Sequence, residues 1–286
     1  MRGVSVPAKF LLAASLTFLP VLCFGDPVGS VFVSGHDPDF HSTQGPNTLG
    51  AEHLIQDALT FARNGNTAPF LFLESNTDNN ALGDHVDSEA GLIASGFSAG
   101  ITPGSHYVKV NATQFATANL SLYSAIFIPS DHGGSLTGDD LEALDGRAAD
   151  ILSYLNGGGG LVAWAEDGFH TPTTDKSTPA VFGFLPFLVT STALTEAENA
   201  NTLSPFGTSL GLLSTDINGN FSHNLFTATG GMTPIDFDSG KQILSLGFRG
   251  QFSVTGVGGV PEPGSIALLA TALGSLLFAG RLQRKA

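Results

Sequence analysis

The stretch that most constrains this chain is residues 123–167, where an apolar strand, a tight turn, an amphipathic helix and a second apolar strand follow one another directly. Residues 124–128 (SAIFI) are a continuous apolar run of strand length, and Asp131, His132, Gly133 and Gly134 supply a turn. Thr137 is placed to cap a helix whose first turn carries Asp139, Asp140 and Glu142, where carboxylates favour the helix dipole. Leu141, Leu144, Ala148, Ile151, Leu152 and Leu155 recur on one face of a single predicted helix, which the four glycines 157–160 end. Residues 161–165 (LVAWA) make the next strand. Two strands apolar on both faces, joined through a helix, ask for parallel pairing with cover on both sides.

The same alternation precedes this unit. Residues 30–34 (SVFVS) read as a buried strand ending at Gly35, and a polar turn follows with His36, Asp37, Pro38, Asp39, Phe40 and His41. Ala51, Leu54, Ile55, Ala58, Leu59 and Ala62 recur at helical spacing, with Gly65 as the stop. Residues 69–73 (PFLFL) are a second strand, Val86, Ala90, Ile93 and Ala94 mark a helix, and residues 106–110 (HYVKV) are a third strand. Residues 242–248 (QILSLGF) read as the last. The fold class expected is α/β: flavodoxin-like, a mostly parallel sheet with helices on both faces. Residues 179–190, apolar but broken by Gly183 and Pro186, suit edge segments or a packed loop.

The strand, Gly-Gly turn, long helix, glycine run and buried strand resemble the class I glutamine-amidotransferase-like superfamily, and the strand running into Gly35, His36 and Asp37 resembles its ThuA-like branch. The resemblance implies a catalytic Cys just after the strand at 161–165, but Trp164, Ala165, Glu166, Asp167 and Gly168 stand there, and the only cysteine is Cys23. A thiolate nucleophile is therefore unavailable at that turn. No G-x-S-x-G elbow and no H-E-x-x-H occurs.

Loops after parallel strands gather in one crevice. Here that brings together His36, Asp37, Asp39, Asp131, His132, Glu166, Asp167 and His170. The catalytic candidates are His36, Asp37, Glu166, Asp167 and His170, as general acids and bases; the metal candidates are His36, Asp39 and His41. Asp and His also flank turns for purely conformational reasons, and spacing does not separate the two readings. No motif calls for an organic cofactor, and the carboxylates leave room for a divalent cation. Asp216, Asn218 and Asn220 begin like a calcium loop, but Gly219 falls one position early and no closing carboxylate follows, so a turn is expected. His223, in the apolar patch 221–226, reads as a core histidine.

Both termini read as addresses. Arg2 and Lys9 precede an apolar run at 10–24 with small residues before Asp26, the pattern of a secretory signal peptide. At the other end, Pro261, Glu262 and Pro263 precede an apolar run at 265–280 that closes on Arg281, Arg284 and Lys285. Sixteen residues make a helix of about 24 Å, short of the roughly 30 Å hydrocarbon core unless the flanks extend it. The arrangement resembles the PEP-CTERM sorting signal of Gram-negative bacteria. That resemblance implies exosortase, the secretion machinery and the inner membrane as partners, exopolysaccharide as an associate, and the cell surface or extracellular matrix as the destination.

The expected organisation is a signal peptide at 1–25, an amidotransferase-like domain at 26–248, a linker at 249–259 and a sorting tail with a transmembrane helix at 260–286. All 25 acidic residues lie from Asp26 to Glu262, whereas five of the 11 basic ones lie in the two terminal signals, so the exported part is strongly acidic and repels nucleic acid. The expectation for function is a non-catalytic surface protein contacting polysaccharide through Trp164 and Phe169. The alternative is a ThuA-like glycan-active or metal-assisted hydrolase.

Overall fold

Five strands lie parallel, as the apolar runs require, but they make only half of the sheet. In the computed structural model of the protein, residues 27–75, 88–100, 106–131, 136–166 and 181–257 are described, and they belong to one compact unit, Pro27–Pro261. The parallel half comprises β1 (Gly29–Ser34), β2 (Phe70–Leu73), β3 (Tyr107–Val110), β4 (Ala125–Ile128) and β5 (Gly160–Ala163), in the order β3-β2-β4-β5-β1. Their registers align Val33 with Ala163 and Ala163 with Ile128, so these strands end at one level. Past that level the chain carries His36 and Asp37 after β1, Glu74 after β2, Ser130 and Asp131 after β4, and Glu166 after β5.

Two layers cover this half. Helix α2 (Thr48–Arg63) lies across β1, β4 and β5, burying Leu54, Ile55, Ala58, Leu59 and Ala62 against Phe32, Phe127 and Val162. On the opposite face α5 (Gly138–Asp145) and α6 (Ala148–Asn156) bury Leu141, Leu144, Ile151 and Leu155 against Val31, Val33, Ile126 and Leu161. Alternate residues of each strand thus feed opposite cores, as the period-two geometry of a strand dictates.

The remaining strands, β6 (Thr190–Ala197), β7 (Thr202–Leu203), β8 (Phe221–Ala228), β9 (Thr233–Phe237) and β10 (Ile243–Gly250), continue the sheet in antiparallel fashion beyond β1. The flavodoxin-like, mostly parallel expectation is corrected accordingly to a mixed sheet. The physical reason is loop length: five residues join β9 to β10, which forces an antiparallel hairpin, whereas a parallel return needs a dozen or more.

Two local expectations also change. The helix predicted from Thr137 to Leu155 divides into α5 and α6 at Gly146 and Arg147, where the Arg147 guanidinium donates to the carbonyls of Phe115 and Ala118 and holds the chain at the break. Thr137 does cap α5, its hydroxyl accepting from the Asp140 N–H while Asp140 accepts in return. Residues 181–187 are turns, with Phe182, Phe184 and Phe187 driven into the core beside β8 and Phe252.

The expectation of a C-terminal transmembrane helix does not stand on the described residues, none of whose helices is long and apolar enough to cross a membrane. Pro261, Glu262 and Pro263, the apolar run 265–280, the basic residues Arg281, Arg284 and Lys285, and the leader at 1–25 lie outside the described residues. What the structure supports is a globular α/β unit with a mixed sheet.

Candidate metal centre

The site is built where the two halves of the sheet meet. β1 ends at Ser34, and Gly35 lets the chain turn against β8: its N–H donates to the Leu244 carbonyl, and its own carbonyl accepts from the His223 N–H at 2.7 Å. Pro38 opens the short helix α1 (Pro38–His41), with Asp37 at its N-cap making no side-chain capping bond. Because residues four apart share a helix face, His41 falls beside Asp37. β8 supplies His223 from the other side.

Asp37 thus stands between two imidazoles. His41 Nε2 is 3.2 Å from its Oδ1, and His223 Nε2 is 3.2 Å from its Oδ2. One ligand atom from each of the three residues lies within 4.8 Å of the others, and the residues are 1 %, 5 % and 4 % exposed for Asp37, His41 and His223. The His41 tautomer follows from its remaining contacts. Nδ1 faces the Gln44 carbonyl at 3.0 Å, which only an N–H can satisfy, while Nε2 accepts from the Phe221 N–H at 3.4 Å. In neutral His41 the single Nε2 lone pair, met by the Phe221 N–H only at 3.4 Å, also lies 3.2 Å from a carboxylate oxygen, and a positive charge between those two acceptors relieves the buried contact. Either a proton or a metal ion can supply it. The proton alternative is visible as a raised His41 pKa: burial pulls it down, but the Asp37 hydrogen bond and charge, the Gln44 carbonyl and the Glu198 charge together outweigh burial.

The geometry suits a metal. Zinc bonds of 2.0–2.2 Å to nitrogen and oxygen place tetrahedral ligand atoms about 3.3 Å apart. With one ligand atom of each within 4.8 Å of the others, Asp37, His41 and His223 could draw together on a divalent cation. Two imidazoles and one carboxylate favour zinc and neighbouring transition metals over magnesium or calcium. Beside Asp37 and His41, but not His223, lies a cavity of about 10 Å³, room for one water, lined also by Glu198, Asp216 and Phe221.

His36, the residue next to Asp37, points elsewhere. Its Nδ1 hydrogen-bonds Glu198, and its Nε2 lies 2.7 Å from Asp236 Oδ2 on β9, with all three side chains buried. Burial disfavours its charged form, but the charges and hydrogen bonds of Glu198 and Asp236 prevail and hold the pKa well above the ordinary imidazole value. His36 is an imidazolium that ties β1 to the antiparallel half of the sheet.

The other sequence candidates divide three ways. Asp39 is a latch: Oδ2 accepts from the Ser88 hydroxyl at 2.6 Å and from the Ser130 N–H at 2.9 Å, so it joins α1 to α3 (Ser88–Ala94) and to the loop after β4. Glu166 exchanges backbone bonds with the Asn224 amide and accepts from the Phe182 N–H at 2.7 Å. Asp131 is buried after β4, and its N–H donates to the Ala165 carbonyl. His132, Asp167 and His170 lie outside the described residues, as does Phe169. Trp164 is no sugar platform: it is 1 % exposed, edge-on to Phe32 and Phe127. Of the three metal candidates read from the sequence, His41 belongs to the cluster, whereas His36 and Asp39 are occupied with other partners. Asp37, read there as catalytic, supplies the carboxylate.

His223 is the member of the cluster that sequence alone leaves as a core histidine, and Glu198 and Asp236 carry no signal of their own. Nothing in FSHNLFTA separates a ligand histidine from a core one, because its partner is 186 residues away across the strand order. Asp216, Asn218 and Asn220 form a turn, as expected. Asp216 accepts from the Leu213 N–H, and Asn218 donates to the Asn201 and Ser214 carbonyls.

No protein-family model matches this chain, no curated protein matches it, and no solved structure matches it. The amidotransferase-like, ThuA-like and PEP-CTERM resemblances thus gain no support beyond the residues that suggested them. With no membrane-crossing helix among the described residues, the reading of a membrane-anchored, exosortase-sorted surface protein associated with exopolysaccharide is withdrawn, together with exosortase, the secretion machinery and the inner membrane as its partners. The buried Asp37, His41 and His223 cluster could instead hold a divalent cation.

Proposed function

We propose that this chain is a metal-assisted hydrolase whose divalent cation is held by Asp37, His41 and His223. The observation that carries the reading is the pair of 3.2 Å approaches of two imidazole nitrogens to the two oxygens of one buried carboxylate. Three protein ligands, two of them lining a water-sized cavity, favour catalysis, because structural zinc sites close with four protein ligands and catalytic ones keep a position for water. The location agrees: ligands of α/β proteins bind beyond the carboxyl ends of parallel strands. A bound cation would polarise the substrate's electrophilic group and lower the pKa of water. Glu198 lines the same cavity, its charge acts on both Asp37 and His41, and His36 anchors one of its oxygens. It is positioned to accept the proton that water releases when its oxygen bonds to the electrophile, and to return it to the leaving group.

A purely structural cation is the second reading, and near-complete burial of all three ligands favours it. One experiment separates the two. Protein stripped with chelator and reloaded with zinc, cobalt or manganese is titrated calorimetrically and assayed on p-nitrophenyl esters, phosphodiesters and glycosides. The hydrolase reading expects one bound cation and turnover that falls roughly two to four orders of magnitude in Glu198→Gln while the cation stays bound. A bound cation without turnover on any of these substrates establishes the structural reading, and a protein that binds none of the metals ends both.

A further inference from the structure

Asn47 and Asn220 bind each other reciprocally. The Asn47 N–H donates to Asn220 Oδ1 at 3.3 Å, and Asn220 Nδ2 donates back to the Asn47 carbonyl at 3.0 Å. Asn47 ends the loop that follows His41, and Asn220 stands three residues before His223 and directly before β8. The pair therefore joins the two segments that bring histidines to Asp37 from opposite sides.

Neither asparagine has slack. Asn47 Oδ1 caps α2 by accepting from the Gly50 N–H, and its Nδ2 donates to the Thr215 and Asn218 carbonyls at 2.6 and 2.7 Å. The loop is equally fixed against the His41 ring. The Gln44 carbonyl takes the Nδ1 proton, and Gly45, at φ +152°, lies so close that a Cβ there would stand 2.7 Å from Nδ1 and 3.1 Å from Asn220 Oδ1. On the ring's other edge Phe221, the residue after Asn220, offers its N–H to Nε2 and stacks with a centroid separation of 6.4 Å. One closed set of contacts thus fixes which His41 nitrogen carries the proton, where the ring lies and where β8 begins.

We propose that the Asn47–Asn220 amide pair is the positioning device that holds His41 and His223 at ligand spacing across Asp37, so that the cation affinity of the site depends on a residue, Asn220, that does not ligate the cation. The inference rests on the metal reading of the site. Partners that orient ligand histidines are typically worth 10- to 100-fold in metal affinity. A loop stitch without this role would lower stability and leave affinity alone.

The test uses Asn220→Ala and, as the variant safer for folding, Asn220→Gln, which keeps the amide but displaces it by one methylene. Zinc affinity is measured by competition with a fluorescent chelator, and the His41 tautomer by 15N imidazole NMR of zinc-free protein at a pH where the spectrum itself shows the ring neutral. Expected are a single Nδ1–H tautomer in the unmodified protein, a mixture of tautomers in the variants, and a zinc affinity roughly 10- to 100-fold weaker in them. Zinc affinity within twofold of the unmodified protein, with the tautomer unchanged, overturns the proposal. Should the unmodified protein bind no zinc, the metal reading fails by itself, and the tautomer comparison still decides whether the pair positions His41.

Discussion

Gly35 lies against Asn224 so closely that a side chain at 35 would overlap the Asn224 carbonyl oxygen. That contact places β8 beside the end of β1, and through it His223 beside Asp37. Gly35→Ala must push the two strands apart at the junction of the parallel and antiparallel halves. The expected cost is about 1–3 kcal/mol, the usual range for overpacking a fixed backbone contact. Urea unfolding reads it as a lower midpoint at unchanged slope, and zinc binding should weaken in step. A variant as stable as the original would show that the junction yields more than its contacts suggest.

Removing His36 should be severe. Its imidazolium lies between the buried carboxylates of Glu198 and Asp236, so His36→Ala leaves two acidic groups together without a counter-charge. Breaking a buried pair from one side costs about 3–5 kcal/mol, a large fraction of a domain's stability. Chemical denaturation should show this loss, and Asp236→Asn, which keeps the shape and removes one charge, should lose less.

The parallel half of the fold and its polar edge were legible in the sequence because each rests on a local signal. Continuous apolar runs such as FLFL and AIFI mark strands covered on both faces, and Thr137 with Asp140 marks a helix start. The antiparallel half carries weaker signals: β6 reads TSTALTEA, polar enough to pass for a loop, and in β8 (FSHNLFTA) the apolar residues do not alternate. Near the site, chain proximity suggested His36 and Asp39, but side-chain direction decided otherwise. His36 is drawn to Glu198 and Asp236, Asp39 to Ser88 and Ser130, and among the described candidates Asp37 and His41 cluster with His223. Contacts across some 180 residues of chain leave no trace in spacing.

Asp37 and Asp39 should therefore separate cleanly in a mutational comparison. Asp37→Asn weakens a ligand and is expected to reduce zinc affinity at least tenfold, as read by chelator competition. Asp39→Ala removes the carboxylate that accepts from the Ser130 N–H and the Ser88 hydroxyl and should cost about 1–3 kcal/mol of stability while leaving the bound zinc stoichiometry at that of the unmodified protein. Equal effects of the two substitutions on zinc binding would count against the assignment of ligands.

Asp145, at the end of α5, gives a pH-dependent prediction away from the site. Burial raises its carboxyl pKa to about 6, and its Oδ1 is buried without a hydrogen-bond partner. A folded pKa above the unfolded one means that the folded state binds more protons between the two values, so this group's contribution to stability falls as pH rises from about 4 to 6 and stays low above. Asp145→Asn removes the charge and should raise the unfolding midpoint at pH near 8 while changing little at pH near 4. Because the group is only half-buried, solvent screening keeps the gain to about 1 kcal/mol or less. Thermal unfolding of both proteins at the two pH values gives the answer, and a gain of the same size at both would point to packing as its source.

Cation binding should release a proton, and His41 is its source. Its pKa is raised above the ordinary imidazole value because, although burial works against the charge, Asp37, Gln44 and Glu198 together favour it. In the metal-free protein at pH values below that raised pKa, Nε2 is protonated toward Asp37, the position a cation would take. The two compete for one lone pair, so apparent zinc affinity should rise about tenfold per pH unit until His41 is neutral and then level off. Calorimetry in buffers of different ionisation enthalpy counts the protons directly: about one per zinc on the acidic side of the transition, falling toward zero on the alkaline side. In His41→Ala the residual affinity should lose this dependence. Zinc affinity that is flat with pH in the unmodified protein would place the cation somewhere other than His41.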